Sequence, residues 1–166
     1  MTIVPAPDPF AVFGLPRAMD LDERALEQRY LRLSRECHPD LHRAQVNSDC
    51  IAVLQRAAEI NDAWKILRDP WPRARALLEL HDPGVLDRNK KLDPAFLADA
   101  LELAEDVAMA QGAAIAPLRE RLEAMLANDL DSLRGELQSG AFDAAARRMH
   151  QSHYHRKALQ DLQAKS

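Results

Sequence analysis

Two segments with the same apolar period meet at a proline that neither can cross. Leu26, Tyr30, Leu33 and Cys37 fall at i, i+4, i+7 and i+11, and Val53, Ala57, Ile60, Trp64 and Leu67 repeat the spacing, so each segment reads as a helix with one apolar stripe. Between them lies Arg35-Glu36-Cys37-His38-Pro39-Asp40-Leu41-His42. Pro39 fixes its own φ and pushes His38 out of the helical region, so the first helix is expected to end near Cys37 or His38 and the chain to turn there. Matching stripes joined by a connection of roughly ten residues make an antiparallel pair. Its tip is polar and presents His38 and Asp40.

Composition narrows the class. The 166 residues are 47% hydrophobic but only 5% aromatic, with Ala and Leu prominent, which points to an all-α protein of one domain or two small ones. A formal charge of −4 gives no support to nucleic-acid binding through bulk electrostatics. The two cysteines, Cys37 and Cys50, suit a reducing compartment. The opening Met-Thr-Ile-Val-Pro-Ala-Pro-Asp-Pro-Phe has neither the charge and apolar run of a signal peptide nor the Arg-rich character of a mitochondrial presequence, and no apolar run is long enough for a bilayer. A cytoplasmic protein with no membrane partner is expected.

Punctuation residues divide the chain. Pro5, Pro7 and Pro9 keep the start extended until a short apolar turn, Phe10 to Leu15, closed by Gly14 and Pro16 and suited to lie over the helical pair. Asp20 with Glu23 reads as a capping box for the first long helix, whose other faces carry Arg24, Arg29, Arg32 and Arg35; Asn47 and Ser48 are cap candidates for the second. A short helix starting near Trp71 stops at His81-Asp82-Pro83-Gly84, and the polar, aperiodic stretch that follows reads as a linker. The expected division is therefore 1–81, a linker at 82–92, and a second domain at 93–166. Asp93-Pro94 opens a helix to about Gln111, Gly112 stops it, a second helix runs from about Ala116 to Gln138, and a third from Ala141 or Phe142 to Leu162. Three helices with short connections form an antiparallel three-helix bundle.

His38-Pro39-Asp40 between two such helices resembles the signature loop of a J domain, the module through which J-proteins activate DnaK-class ATPase chaperones. Phe13-Gly14-Leu15-Pro16, Ile60-Asn61-Asp62-Ala63-Trp64 and Pro72-Arg73-Ala74-Arg75-Ala76-Leu77-Leu78-Glu79-Leu80 are more specific and resemble the HscB family, J-protein co-chaperones of iron-sulfur cluster assembly. Leu41 stands where that family usually has a basic residue, and Ala76 where an aromatic is common. The resemblance implies that His38, Pro39 and Asp40, with Tyr30, Arg29 and Arg32 on the adjoining helix, bind an HscA-type chaperone and stimulate its ATPase. It implies no catalytic residue in this chain and no cofactor. The Cys-x2-Cys module of animal members is absent, which favours a bacterial cytoplasmic protein.

The helix after Asp93 is apolar on two faces. Phe96, Ala100, Leu103 and Val107 form one stripe; Leu97, Leu101, Ala104 and Ala108 form a second, beside Ala98, Glu102, Glu105 and Met109. Either both stripes are core, or Leu97 and Leu101 edged by Glu102 and Glu105 form a partner-binding face. The resemblance favours the face, because the corresponding family helix binds the IscU scaffold; Tyr154 on the last helix would complete the patch. Ala98 and Met109 depart from the larger and the acidic residue common there. The alternative is a general J-protein serving unfolded clients through DnaK.

Cys37, His38, Asp40, His42 and Cys50 include metal-ligand types, but paired Cys-x2-Cys or His-x3-His spacing is missing and the stripe assigns Cys37 to the core. A metal-dependent enzyme built on that cluster is the reading from a different class. His150, His153 and His155 are read as a solvated, mildly basic face. No metal site is expected at either place.

Overall fold

The computed structural model describes residues 7–37 and 47–165, with the backbone alone at 47–50. All regular structure among them is helical, and the chain divides into two compact units after Leu80.

The first unit opens with α1, Pro9–Phe13, too short to persist alone. Asp8 caps it, its Oδ1 accepting from the Phe10 amide at 2.9 Å, and Gly14 ends it at φ +60°, where a side chain would be strained. Phe10, Val12 and Phe13 are buried, and the helix packs on α2, Glu23–Glu36, and α3, Asn47–Leu67. It is the expected lid over the pair, in helical form. The cap of α2 is Asp22 rather than Asp20: its carboxylate accepts from the amides of Arg24 and Ala25 at 3.0 and 3.1 Å. α2 ends at Glu36 with Cys37 as its C-cap, one residue before the turn expected from Pro39. The stripe on α2 is shallower than its period suggests. Leu26 is fully buried, whereas Tyr30, Leu33 and Cys37 remain partly exposed, so Cys37 is a half-covered helix end and not a core thiol.

α4, Pro70–His81, buries Trp71, Ala74, Leu77 and Leu78. It also buries Arg73, whose Nε donates to Leu67 O at 2.8 Å and Nη1 to Met19 O at 2.7 Å. The guanidinium thus ties the end of α3 to the loop ahead of α2, and its fork geometry reaches both carbonyls at once. Burial lowers its pKa, opposed by the nearby carboxylates of Glu23, Asp69 and Asp20.

The second unit begins at His81. Residues 82–92, expected as a polar linker, contain α5, Val85–Arg88, with Val85, Leu86 and Leu92 buried. Four residues are too few for a period to show in the sequence. The remaining helices are α6, Pro94–Met109, α7, Ile115–Gln138, and α8, Phe142–Gln163, with a 3-10 turn at Gly112–Ala114. α6 stops at Met109, earlier than expected, and Asp93 caps it, accepting from the Ala95 amide at 2.7 Å with Pro94 behind it. α8 is the hub, packed against α5, α6 and α7. Ala145, Ala146, Ser152 and Ala158 are its buried small residues, and they permit a close approach. Leu103 and Val107 of α6, Leu122 of α7 and Leu162 of α8 meet in one core cluster. This is the expected three-helix arrangement, with α5 added to it.

Candidate functional site

Each unit carries a candidate surface. In the first, His38, Pro39 and Asp40 lie outside the described residues, so the surface is read from the helix leading to them. Tyr30 stacks on Trp64 with ring centroids 4.6 Å apart, and its hydroxyl donates to Asn61 Oδ1 at 3.0 Å. Arg29 Nη1 donates to the carbonyls of Phe13 and Gly14 at 2.7 and 2.9 Å, taking up the acceptors left open at the end of α1. Both residues therefore hold the unit together, a role their sequence positions did not reveal. Arg32 differs: its side chain is exposed, and Glu36 comes no closer than 3.9 Å. Arg29 and Arg32 line one shallow hollow on α2 with Ala25 and Gln28, while Tyr30 turns toward α3. What α2 offers outward is a basic face centred on Arg32, with Arg24 and Arg35 also exposed.

In the second unit the two stripes of α6 separate cleanly. Ala100, Leu103 and Val107 are buried and Phe96 is half-buried, while Leu97 is 40% exposed and Leu101 62% exposed. The second stripe is surface, not core. Glu102 and Glu105 are exposed beside it, and Met109, at 80% exposure, extends its apolar end. Tyr154, 42% exposed on α8, meets Phe96 edge-on at 5.7 Å and borders Ala100 and Ala104, whose i−3 neighbours on the α6 surface are Leu97 and Leu101. Leu97, Leu101 and Tyr154 thus form one apolar face with carboxylates along its edge, an arrangement suited to a folded partner.

Behind this face lies a buried polar group that the sequence did not suggest. His155, expected on a solvated face, is buried: its Nδ1 lies 2.7 Å from Asp129 Oδ2, and its ring meets Phe96 edge-on at 5.8 Å. Because a carboxylate only accepts, Nδ1 carries the proton. Arg148 approaches the other oxygen of Asp129 at 3.7 Å and grips Glu136 with both Nε and Nη2, and that hydrogen bonding raises the arginine pKa. His150 is half-buried, its Nε2 2.8 Å from Leu86 O, and only His153 is exposed. The three histidines consequently serve three different surroundings. Among the described residues, no group of His, Cys, Asp and Glu is arranged to hold a metal ion.

Residues 8–76 match the DnaJ domain family, and residues 92–163 match the HSCB C-terminal oligomerisation domain. A co-chaperone protein HscB homolog of Ralstonia nicotianae is 35% identical over 142 residues, which cover 82% of this chain and 81% of that protein. The chain belongs to the HscB family. The solved HscB chaperone of Vibrio cholerae superposes with a TM-score of 0.84 at 30% identity, covering 95% of this chain and 96% of that one. Human co-chaperone HscB shares the fold, with a TM-score of 0.87 at 24% identity over 98% of this chain and 84% of that one. The first unit is accordingly a J domain, and its matched stretch contains His38-Pro39-Asp40. A J-domain co-chaperone of this family works with an Hsp70-class ATPase. Among the described residues, no helix is long and apolar enough to cross a membrane.

Proposed function

We propose that this HscB-family chain is a bacterial cytoplasmic co-chaperone of iron-sulfur cluster biogenesis that brings an IscU-type scaffold to an HscA-type chaperone and stimulates the chaperone's ATPase. The observation that carries the reading is the exposure of Leu97 and Leu101, with Tyr154 and the two glutamates, on the unit that is not the J domain. Soluble domains rarely leave several large apolar side chains together in water without a partner for them. A mixed Leu/Glu face suits one folded partner, whereas unfolded clients call for a peptide-binding cleft.

Mechanistically, the chain supplies no hydrolytic group. His38, Pro39 and Asp40 set the loop that meets the ATPase, Asp40 being able to pair a partner arginine, and Arg32 contributes the adjoining basic face. Arg29 and Tyr30 act at one remove, by fixing α1 and α3 against the helix that carries Arg32. Two contacts on one chain raise the local concentration of scaffold at the chaperone. Clusters are cargo and reach the complex on the scaffold. Calorimetric titration of the purified chain with an IscU-type scaffold, followed by ATPase assays of an HscA-type chaperone with and without both, tests the reading. Saturable one-to-one binding and joint stimulation are expected; capture of assorted unfolded polypeptides without scaffold binding would replace it with the general J-protein.

A further inference from the structure

A groove runs between α6 and α8 beside the proposed docking face. Its volume is about 240 Å³, and Ala100, Ala104, Val107 and Ala158 supply its apolar lining. Tyr154 belongs both to its wall and to the face described above, so groove and face are continuous. Along the same α8 wall, Lys157 and Asp161 pair with each other across one helical turn so that their charges cancel, and the exposed His153 completes the rim. Ala104 is exposed at the opening, while Ala100, Val107 and Ala158 are buried beneath. The space is thus open at the docking face and apolar inside, with one self-paired ion pair and one imidazole at its rim.

We infer that this groove receives one large apolar side chain of the scaffold, and that Ala104 is the residue that keeps it open. The inference rests on the scaffold-docking reading above and deepens it. The Lys157–Asp161 pair is already satisfied and the alanine and valine interior offers no hydrogen bond, so a charged group gains little by losing its water there. An aliphatic or aromatic side chain gains by leaving water, and at the centre of an interface it acts as an anchor. Leu97, Leu101 and Tyr154 then surround the anchor and exclude solvent. A longer side chain at position 104 would stand at the opening and obstruct entry.

Opposite charges at one position make the test. Scaffold affinity is measured by titration for Ala104→Glu and Ala104→Lys, with Ala104→Ser as the small replacement and Ala124→Glu, exposed on α7, as the control for added charge. Glu and Lys are good helix formers, and the site is exposed, so melting temperatures should stay close to the parent. Both long substitutions are expected to weaken scaffold binding at least tenfold, while Ala104→Ser and Ala124→Glu stay within about twofold. Weakening by one charge and strengthening by the other would overturn the apolar assignment and make the place an electrostatic contact. Parental affinity in both, with binding lost in Leu97→Ala/Leu101→Ala, would overturn the groove and leave the docking face standing. Parental affinity in all of these would remove groove and docking face together. A change in self-association by sedimentation, with scaffold binding unaltered, would assign the groove to a second copy of the chain and overturn the inference.

Discussion

Asp129 and His155, twenty-six residues apart and on different helices, meet inside the C-terminal bundle with Nδ1 2.7 Å from Oδ2 and both side chains buried. Asp129→Ala leaves the imidazole N–H without an acceptor and removes the second carboxylate near Arg148, and such losses cost about 2–4 kcal/mol. Asp129→Asn keeps an oxygen that can accept the same proton and should cost less than half as much. Calorimetry on the full chain should show the bundle transition falling by roughly 10 °C or more for Ala, since 1 kcal/mol shifts a domain of this size by about 4–8 °C. An Ala variant melting within a degree or two of the parent would show that the pair contributes nothing to stability.

That pair also shows where sequence reading stops. Period and punctuation placed the long helices, because apolar spacing and Asp, Pro and Gly at the ends act locally: Asp93-Pro94 starts α6, and Gly140 at φ +73° follows α7 as expected. Partners distant in sequence leave no such trace. A histidine among Gln, Ser, Tyr and Arg on α8 reads as surface until α7 brings Asp129 to it. The family resemblance offered Arg29 and Tyr30 as chaperone-facing residues, and their packing partners, the end of α1 and the Trp64 ring, are long-range and left no trace in the sequence. Val85 and Leu86 were hidden by length: a single turn has no period. The exposure of Leu97 and Leu101 was also undecidable from spacing, because a second stripe on α6 looks the same whether another helix or solvent covers it.

In the J domain, Arg73 provides the second stability prediction. Arg73→Met keeps the aliphatic stem but strands Leu67 O and Met19 O, each of which accepts one charge-assisted bond, and should cost about 2–4 kcal/mol. Arg73→Lys keeps the charge but cannot fork to both carbonyls, so a loss of about 1–2 kcal/mol is expected. Trp64 and Trp71, the chain's two tryptophans, both lie in this unit, so fluorescence-monitored urea unfolding follows it without interference from the bundle. A lysine variant as stable as the parent would show that one of the two bonds is dispensable.

For the tripeptide, His38→Gln and Asp40→Asn should each abolish stimulation of the chaperone ATPase. These positions lie outside both apolar stripes, where polar substitutions usually change stability by under about 0.5 kcal/mol. Fluorescence melting and scaffold titration should therefore match the parent. Full ATPase stimulation by either variant would count against the chaperone-contact role of that residue, and a collapse in melting temperature would make the loop structural.

Leu97→Ala combined with Leu101→Ala tests the other surface and separates docking from packing in one sample. Both leucines are substantially exposed, so the double change removes partly hydrated methylenes and leaves no enclosed cavity; the stability loss should be about 1–2 kcal/mol. Two core leucines would instead cost on the order of 4–10 kcal/mol, which a bundle of this size would not survive at the upper end. Scaffold affinity should fall by at least about 2 kcal/mol, roughly thirtyfold, because apolar anchors at an interface centre commonly carry that much. Glu102→Lys and Glu105→Lys approach the same face without touching its packing, and their effect should shrink as salt is raised, since exposed charges are screened beyond about 10 Å at 0.1 M. A double-leucine variant that stays folded and binds scaffold as tightly as the parent would leave the exposed stripe without its proposed partner, and salt-insensitive glutamate variants would remove the electrostatic edge of the interface.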